Sequence, residues 1–152
     1  MTTNINQEYV VVGAGISGLL IAKKLLAQNA SVILIGPEDH RAQTLCSWRH
    51  QNTPEFYIDH IIGSWNQWGF SAQEKVLVQK ADRFRYEALN GKTLKTALEI
   101  YLSKQIGFTR VKESVIETTT NHEKFIVRTD ASSFNTLNLL DSRPPTLKHE
   151  TL

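Results

Sequence analysis

The chain has 152 residues, which suits one domain, and its 41% of hydrophobic residues supply enough material for a buried core. The 21% of charged residues and the net charge of +2 exclude wholesale disorder and nucleic-acid binding through bulk electrostatics. The single cysteine, Cys46, excludes an internal disulfide and is typical of a reducing compartment. Because residues 1–8 lack the pattern of a signal peptide, we expect a cytoplasmic protein, and peripheral contact with a membrane stays open.

Residues 9–36 predict a strand, a helix and a second strand. The apolar run at residues 9–12 is typical of a strand buried on both faces. A helical period begins at Ile16, and Asn29 suits a left-handed cap at its end. The apolar run at 31–35 predicts the second strand. Two such strands joined by one helix pair in parallel through a right-handed crossover.

The pattern after residue 36 predicts an antiparallel insertion, a second helix and further strands. The predicted elements are a polar excursion over 36–55, strands over 75–79 and 83–88, a helix over 93–104, a strand over 109–118, a strand over 125–128 that pairs back on it after a turn at 121–123, and a last short strand over 137–140.

The segment from Gly13 to Gly18 reads Gly-Ala-Gly-Ile-Ser-Gly between the first strand and the first helix. In this context the first glycine makes a tight turn, the second lets a pyrophosphate approach the backbone, and the third lets the helix pack closely. The N-terminus of the helix offers unpaired N–H groups to the phosphates. The motif therefore predicts a site for the pyrophosphate of FAD or NAD(P).

One part of this fingerprint is missing. The position about 20 residues further on, where an acid normally holds the adenosine ribose, is occupied by Gly36. Glu38 and Asp39 follow closely. They either substitute for the missing acid through a shift of the loop or are solvated loop charges, and the second interpretation is slightly favoured.

Other chemistry-bearing residues give weaker signals. The histidines show no zinc-ligand spacing, so no metal site is predicted. Trp65, Trp68 and Phe70 form either an exposed apolar patch for a lipid or substrate, or more often part of a core. Cys46 is interpreted as a small buried hydrophobe.

Five segments together resemble the flavoprotein type of bacterial lycopene β-cyclase, in the order in which that family carries them. They are the glycine motif at 13–18, Gln-Thr-Leu-Cys-Ser-Trp at 43–48, Ser-Trp at 64–65, Phe-Arg-Tyr-Glu-Ala-Leu at 84–89 before a helix, and Leu-Asp-Ser-Arg-Pro-Pro at 140–145.

The resemblance implies an α/β fold of the truncated FAD-dependent cyclase or oxidoreductase type. In it a Rossmann-like parallel sheet of order 3-2-1-4, with residues 109–118 as its third strand, carries an antiparallel β insertion. Residues 1–145 are expected to form the FAD/NAD(P)-binding domain, and residues 146–152 a flexible tail. The residues implied in cofactor binding are Gly13, Ala14, Gly15, Ser17 and Gly18, with the backbone of Val115 at the adenine.

The resemblance also implies a reaction. Family members fold the linear ends of lycopene, an apolar carotenoid, into β-ionone rings without net redox change. They require reduced FAD, with NAD(P)H as its reductant.

The chain departs from the family in three respects. Family members are considerably longer, Gly36 replaces the ribose-binding acid, and Leu45 stands where a tryptophan is usual. No Asp or Glu matches the acidic catalytic motif, so the catalytic residue stays unassigned. We therefore expect an FAD-binding part that is inactive alone and needs a complementing downstream polypeptide. Two alternatives stay open: a fragment of another FAD-dependent oxidoreductase or monooxygenase, and a non-catalytic nucleotide-binding module.

Overall fold

The computed structural model describes residues 6–39, 41–50, 56–73, 75–121 and 123–143; the expected tail at 146–152 lies outside them. Contacts divide the chain into two compact units, one formed by residues 1–39 with 97–152 and the other by residues 40–96. The elements are β1 Asn6–Val12, α1 Ile16–Leu26, β2 Val32–Ile35, β3 Thr44–His50, a one-turn 3₁₀ helix Ile58–His60, β4 Ile61–Trp65, β5 Gln67–Ala72, β6 Lys75–Lys80, β7 Phe84–Asn90, α2 Gly91–Ser103, β8 Phe108–Val111, β9 Val115–Asn121, β10 Lys124–Thr129 and β11 Ser133–Asp141.

Four parallel strands form the centre of the first unit, in the order β8-β2-β1-β11. The predicted α/β class is confirmed. Val10, Val11 and Val12 are fully buried, as are all four residues of β2. These uninterrupted apolar runs are what strands covered on both faces require.

Helix α1 connects β1 to its parallel neighbour β2. Gly18, Leu19 and Ala22 are its buried residues. Asn29 has a φ of 63°, so the predicted left-handed residue after the helix is confirmed. The crossover returns the chain to the sheet beside β1.

The predicted single strand over 109–118 is wrong. The structure breaks it into β8, which is parallel to β2, and β9, which is antiparallel to β10. The hydrogen-bonded order continues as β11-β10-β9, so β8 and β9 are opposite edges of one six-stranded sheet. In a flat sheet these edges would lie five strand spacings, about 24 Å, apart. Val111 and Val115 are four residues apart, and four residues reach about 14 Å at most.

The antiparallel strands must therefore fold back over the parallel ones. A single core cluster confirms this, because Val127 of β10 and Phe134 of β11 are buried together with Val10 and Ile33. Strand β11 joins the two parts of the sheet, because its first residues pair with β10 and its later residues pair with β1. One face of the parallel sheet is thereby covered by strands.

The second unit contains a three-stranded antiparallel sheet, β3-β7-β4, and the hairpin β5-β6. The predicted strands over 75–79 and 83–88 exist, as β6 and β7, but they do not pair with each other. The predicted polar excursion over 36–55 is wrong at its centre, where β3 pairs with β7 along its whole length. Exposed residues occur on both sides of β3, so no simple alternation in its sequence reveals the strand.

Helix α2 follows β7 directly and lies close to the predicted range of 93–104. The backbone N–H of Thr93 donates to Oδ1 of Asn90 at 3.2 Å, so Asn90 caps the first turn. Leu94, Leu98 and Leu102 form its buried stripe. Within the described residues, neither helix combines the length and apolarity needed to cross a membrane.

Candidate dinucleotide site and a second-unit aromatic face

The loop between β1 and α1 is built around two close contacts. Gly13 has a φ of +101°, and a Cβ placed on it would lie 2.5 Å from Oγ of Ser142. Gly18 lies on α1, where a Cβ would come within 1.9 Å of the carbonyl oxygen of Gly13. The first turn of α1 lies directly against the loop, and this close packing leaves no room for a side chain at either position.

Gly15 differs from its two neighbours in the motif. A Cβ on Gly15 would have no atom within 4 Å, so the space above this residue is open. Gly15 is the N-cap of α1 and its φ of −79° is ordinary. Ala14 is buried, whereas Ser17 is exposed on the first turn. The first-turn N–H groups of a helix have no intrahelical partners, so an open N-terminus of this kind suits an anion.

The end of β11 holds the loop from the other side. The hydroxyl of Ser142 donates to the carbonyl oxygens of Val12 and Gly13, at 2.9 and 3.1 Å, and its backbone N–H also donates to Val12. Beside it, hydrogen bonds from the Arg143 guanidinium lower the pKa of Asp141, and Asp141 raises the pKa of Arg143 in turn. The predicted motif at 140–145 therefore meets the glycine motif in space at Ser142; Pro144 and Pro145 lie outside the described residues.

The end of β2 lies close to the same loop. The backbone N–H of Gly13 donates to the carbonyl oxygen of Ile35, and that of Gly36 donates to Val111. Beyond Gly36, the Glu38 carboxylate forms an ion pair with Nζ of Lys112, the first residue after β8. Glu38 is thus a paired charge and not merely a solvated one.

Val115, the residue implied at the adenine, is the first residue of β9 and pairs with Thr129. Its side chain is partly buried against the cluster that contains Val10 and Val12. Five of the six implied cofactor residues form one loop and helix start, and Val115 follows the carboxyl end of β8.

The second unit carries an exposed aromatic face on the sheet β3-β7-β4. Cross-strand pairing places Trp48 and Trp65 on either side of Tyr86, and His50 opposite Phe84. These five residues, which share one face of the sheet, define the aromatic face. The ring centroids of Trp48 and Tyr86 are 5.0 Å apart, and those of His50 and Phe84 are 5.1 Å apart.

Aromatic residues of this unit are exposed. Trp48 and Trp65 are each 50% exposed and Phe70 is 64% exposed. The interpretation of Trp65 and Phe70 as core residues is therefore wrong. Trp68 of β5 extends the face, because its ring centroid lies 4.7 Å from that of Trp48.

Cys46 is exposed on the same face, so its interpretation as a buried hydrophobe is also wrong. A hydrogen bond with Cys46, followed by its charge and by burial, raises the pKa of Tyr86.

The opposite face of this sheet holds an ionic network around the buried Glu87, defined by Arg49, Ser64, Arg85 and Glu87. Arg49 donates twice to the Glu87 carboxylate, at 2.9 Å each, and Ser64 donates to the same group at 3.2 Å. Arg85 donates to Ser64. Glu87 is 1% exposed, and the hydrogen bonds from Arg49 hold its pKa below the usual range although burial opposes them. This network could not be predicted from the sequence, because its members lie far apart in the chain.

Comparisons with known proteins bear on the family and the fold of the chain. A family model described as "Lycopene cyclase protein" matches residues 8–151. A comparison with curated proteins finds no match. Among solved structures, p-nitrophenol 4-monooxygenase from Pseudomonas putida DLL-E4 is similar, with a TM-score of 0.72 and 15% identity over 95% of this chain and 41% of that one.

Two further structures have the same fold. Peptidyl tryptophan dihydroxylase QhpG gives a TM-score of 0.65 and 17% identity over 97% of this chain and 35% of its own. Halogenase PltM, in complex with phloroglucinol and FAD, gives 0.64 and 13% identity over 90% of this chain and 34% of its own. The chain thus spans well under half the length of each of these structures.

Proposed function

The chain belongs to the lycopene cyclase family, and on that premise we propose that it is the FAD-binding part of a lycopene cyclase-like protein of carotenoid biosynthesis. Residues 1–145 form the FAD/NAD(P)-binding domain, and the parallel order β8-β2-β1-β11 is its Rossmann-like core. In this proposal the protein works in the cytoplasm and touches a membrane only peripherally, where an apolar carotenoid would reach it.

The observation that carries the proposal is the difference between the glycines of the loop. Space is closed at Gly13 and Gly18 and open at Gly15. A pyrophosphate needs this combination, because the loop must be held rigidly while its middle presents bare backbone. Gly13, Ala14 and Gly15 would contact the phosphates, with Ser17 and the first turn of α1 completing the cradle. The backbone of Val115 is proposed at the adenine.

When bound in reduced form, FAD supplies electrostatic or acid–base support for closing the ends of a linear carotenoid into rings, with NAD(P)H as its reductant. The residues of this chain bind and orient that cofactor. The helix N-terminus stabilises its negative phosphates, and Ser142 fixes the carbonyl groups of the loop. No acid of this chain is assigned to catalysis, so we propose that cyclisation requires a complementing polypeptide.

The aromatic face supports an apolar carotenoid as the substrate of the completed protein. Large exposed apolar patches in folded proteins mark binding surfaces more often than they occur without function. A flat conjugated chain suits such a surface, because indole and phenol rings offer wide apolar area at low cost in side-chain entropy.

One alternative is supported by the solved structures, since the similar proteins include a monooxygenase and a halogenase. In that case the chain is part of another FAD-dependent oxidoreductase. Consumption of NAD(P)H by the completed protein, in step with the disappearance of an aromatic substrate, would favour this alternative over cyclisation. The third reading is a non-catalytic module of nucleotide-binding origin whose nucleotide site has decayed, with Gly36 as its main support.

The test is a titration of the purified chain with FAD, followed by flavin fluorescence, after its absorbance as isolated has been recorded. Saturable binding of one FAD per chain supports the proposal. A folded protein that binds neither FAD nor any other adenine dinucleotide contradicts it, and the third reading then stands. Circular dichroism on the same sample establishes that the protein is folded.

A further inference from the structure

Residue 36, at the end of β2, occupies the position where an acid usually binds the ribose, and there is no space for an acidic side chain there. A Cβ on Gly36 would lie 2.8 Å from the backbone nitrogen of Ala14 and 3.1 Å from its Cβ. The backbone cannot easily yield, because Gly36 donates to Val111 on one side and Ile35 accepts from Gly13 on the other. Position 36 therefore not only lacks a carboxylate but also has no room for any side chain, because the loop and the strand lie so close together.

A carboxylate is nevertheless held a short distance away. Glu38 lies two residues beyond Gly36 and pairs with Lys112, directly after β8. Since β2 and β8 are parallel to β1, the pair lies at the same carboxyl edge of the sheet as the glycine loop. Ligands of open α/β sheets bind at this edge.

The ion pair does little for stability, because the side chains of Lys112 and Glu38 are 63% and 49% exposed. Exposed pairs of this kind contribute about 0–1 kcal/mol. The effect of Lys112 is instead to favour the side-chain conformers of Glu38 in which its carboxylate lies beside Nζ of Lys112. Burial lowers the pKa of Arg110 in the neighbouring strand β8, and the charges of Glu99 and Glu38 oppose this shift.

We propose that Glu38, held in place by Lys112, recognises the adenosine ribose in place of the acid that position 36 cannot carry. The inference rests on the proposed function, that is, on an adenine dinucleotide at the glycine loop. An ionised carboxylate accepts hydrogen bonds from the 2′- and 3′-hydroxyl groups of a ribose, and it repels a 2′-phosphate. The site accordingly prefers adenine nucleotides with a free ribose diol.

The experiment combines ligand and protein variants. ADP serves as the probe of the adenosine half, beside 2′-deoxy-ADP and 3′-deoxy-ADP, and calorimetry gives the affinity of each for the folded full chain. The wild-type protein is expected to bind ADP roughly tenfold or more tightly than at least one deoxy analogue, since a hydrogen bond to a charged group is lost. Glu38→Gln should reduce this ratio severalfold, because a neutral amide oxygen accepts these hydrogen bonds more weakly than a carboxylate does.

Asp39→Asn is the matched control, because it removes the same charge from the next residue, and it should keep the wild-type ratio. Lys112→Met keeps the Glu38 carboxylate but removes its ion-pair partner. The ratio of ADP affinity to deoxy-analogue affinity should then lie between those of the wild type and Glu38→Gln. The thermal midpoint of Glu38→Gln should match that of the wild type, which separates recognition from folding.

Failure of this inference can be told apart from failure of the proposed function. If the wild type discriminates between ADP and its deoxy analogues and Glu38→Gln does so equally well, Glu38 plays no part in recognition and this inference alone is overturned. If wild-type ADP and deoxy analogues bind with equal affinity, the ribose is not recognised and the inference is also overturned. If the folded wild type binds neither ADP nor FAD, the proposed function falls with it.

Discussion

The three glycines of the loop are needed for different reasons, so their substitutions have different consequences. Gly13 and Gly18 have no space for a Cβ, and Gly13 also has a positive φ. Gly15 has open space and an ordinary φ. Substitution at Gly15 therefore isolates the effect on the ligand from the effect on the fold.

Gly15→Ala is expected to leave stability within about 0.5 kcal/mol of the wild type. The added methyl group would occupy the space through which the pyrophosphate approaches, so FAD affinity should fall by at least about tenfold, or ~1.4 kcal/mol. Flavin fluorescence titration and urea unfolding measure the two quantities.

Gly69→Ala is the matched control, since a Cβ there would make ordinary contacts at 3.6 and 3.8 Å. It should change neither quantity. Gly18→Ala, by contrast, should lose at least about 1–3 kcal/mol through overpacking, because its methyl group would meet the Gly13 carbonyl. Unchanged FAD affinity in a folded Gly15→Ala protein would contradict the role of the loop.

Single residues could be predicted from the sequence where their task is local. The glycine motif follows a strand, precedes a helix and needs no distant partner, so its spacing is sufficient. Ser142 contacts Val12 and Gly13 from 130 and 129 positions away, and Arg49 meets Glu87 across 38 positions. No local sequence pattern predicts such pairs, because they form only when the strands that carry them come together.

At the scale of elements, the ionic network makes the sheet β3-β7-β4 sensitive to acid. The pKa of Glu87 is lowered in the folded protein, so its contribution to stability is present above the unfolded pKa of about 4.3 and is lost as the pH falls through the folded value. Glu87→Gln should cost about 3 kcal/mol near pH 7, because it leaves the Arg49 charge without its carboxylate. The difference from the wild type should shrink as the pH falls below the unfolded pKa.

Urea unfolding across this pH range measures the effect. Glu117→Gln is the control, since its partner Arg128 is exposed and the pair contributes little. The double variant Arg49→Met/Glu87→Leu should recover most of the lost stability, because no buried charge is left alone. A constant difference between Glu87→Gln and the wild type at all pH values would contradict the assignment.

Tryptophan fluorescence can report binding at the aromatic face. All three tryptophans of the chain, Trp48, Trp65 and Trp68, belong to the face or extend it. Vesicles loaded with lycopene should therefore quench the tryptophan fluorescence more than empty vesicles of the same lipid. Trp65→Gln should weaken this binding roughly five- to tenfold, or ~1–1.4 kcal/mol of lost apolar burial.

Ile116→Gln is the matched control, because Ile116 is an exposed apolar residue on β9 and is not one of the residues that define this face. It should bind like the wild type. Equal quenching by loaded and empty vesicles would show that the face recognises lipid in general and not the carotenoid.

Elements could be predicted where their hydrophobic pattern is strong. The strands β1 and β2 are continuous apolar runs, and the helices show a clear stripe. Strand β3 has no such pattern, because its residues are mostly exposed and its formation depends on pairing with β7. The break between β8 and β9 is also invisible locally, since both halves favour strands and only their different partners separate them.

At the scale of the whole molecule, FAD should stabilise the first unit through mass action. A ligand present at about 100 times its Kd adds about 2.7 kcal/mol to the stability of whatever it binds. Hydrogen exchange should therefore slow in β1, α1 and β11 when FAD is added. Unchanged exchange in these elements at saturating FAD would place the cofactor elsewhere.

The family could be identified from five short segments, but the way in which they are assembled could not. The segments fix an order along the chain, whereas the fold-back of β9 and β10 over the parallel strands follows from a three-residue connection between β8 and β9. A short connection between two strands reveals that a sheet folds back only when it is already known which strands pair with each other. Pairing information of this kind is absent from a single sequence.

The position of β11 also governs when the nucleotide loop can form. β11 lies between β1 and β10, and Ser142 binds the loop that starts at Gly13. During synthesis on the ribosome, β1 therefore cannot pair with β11 until almost all of the described chain has emerged. Contacts over such sequence separations give a high contact order, which slows folding. The loop of the nascent chain should thus acquire affinity for a nucleotide only after β11 has left the exit tunnel.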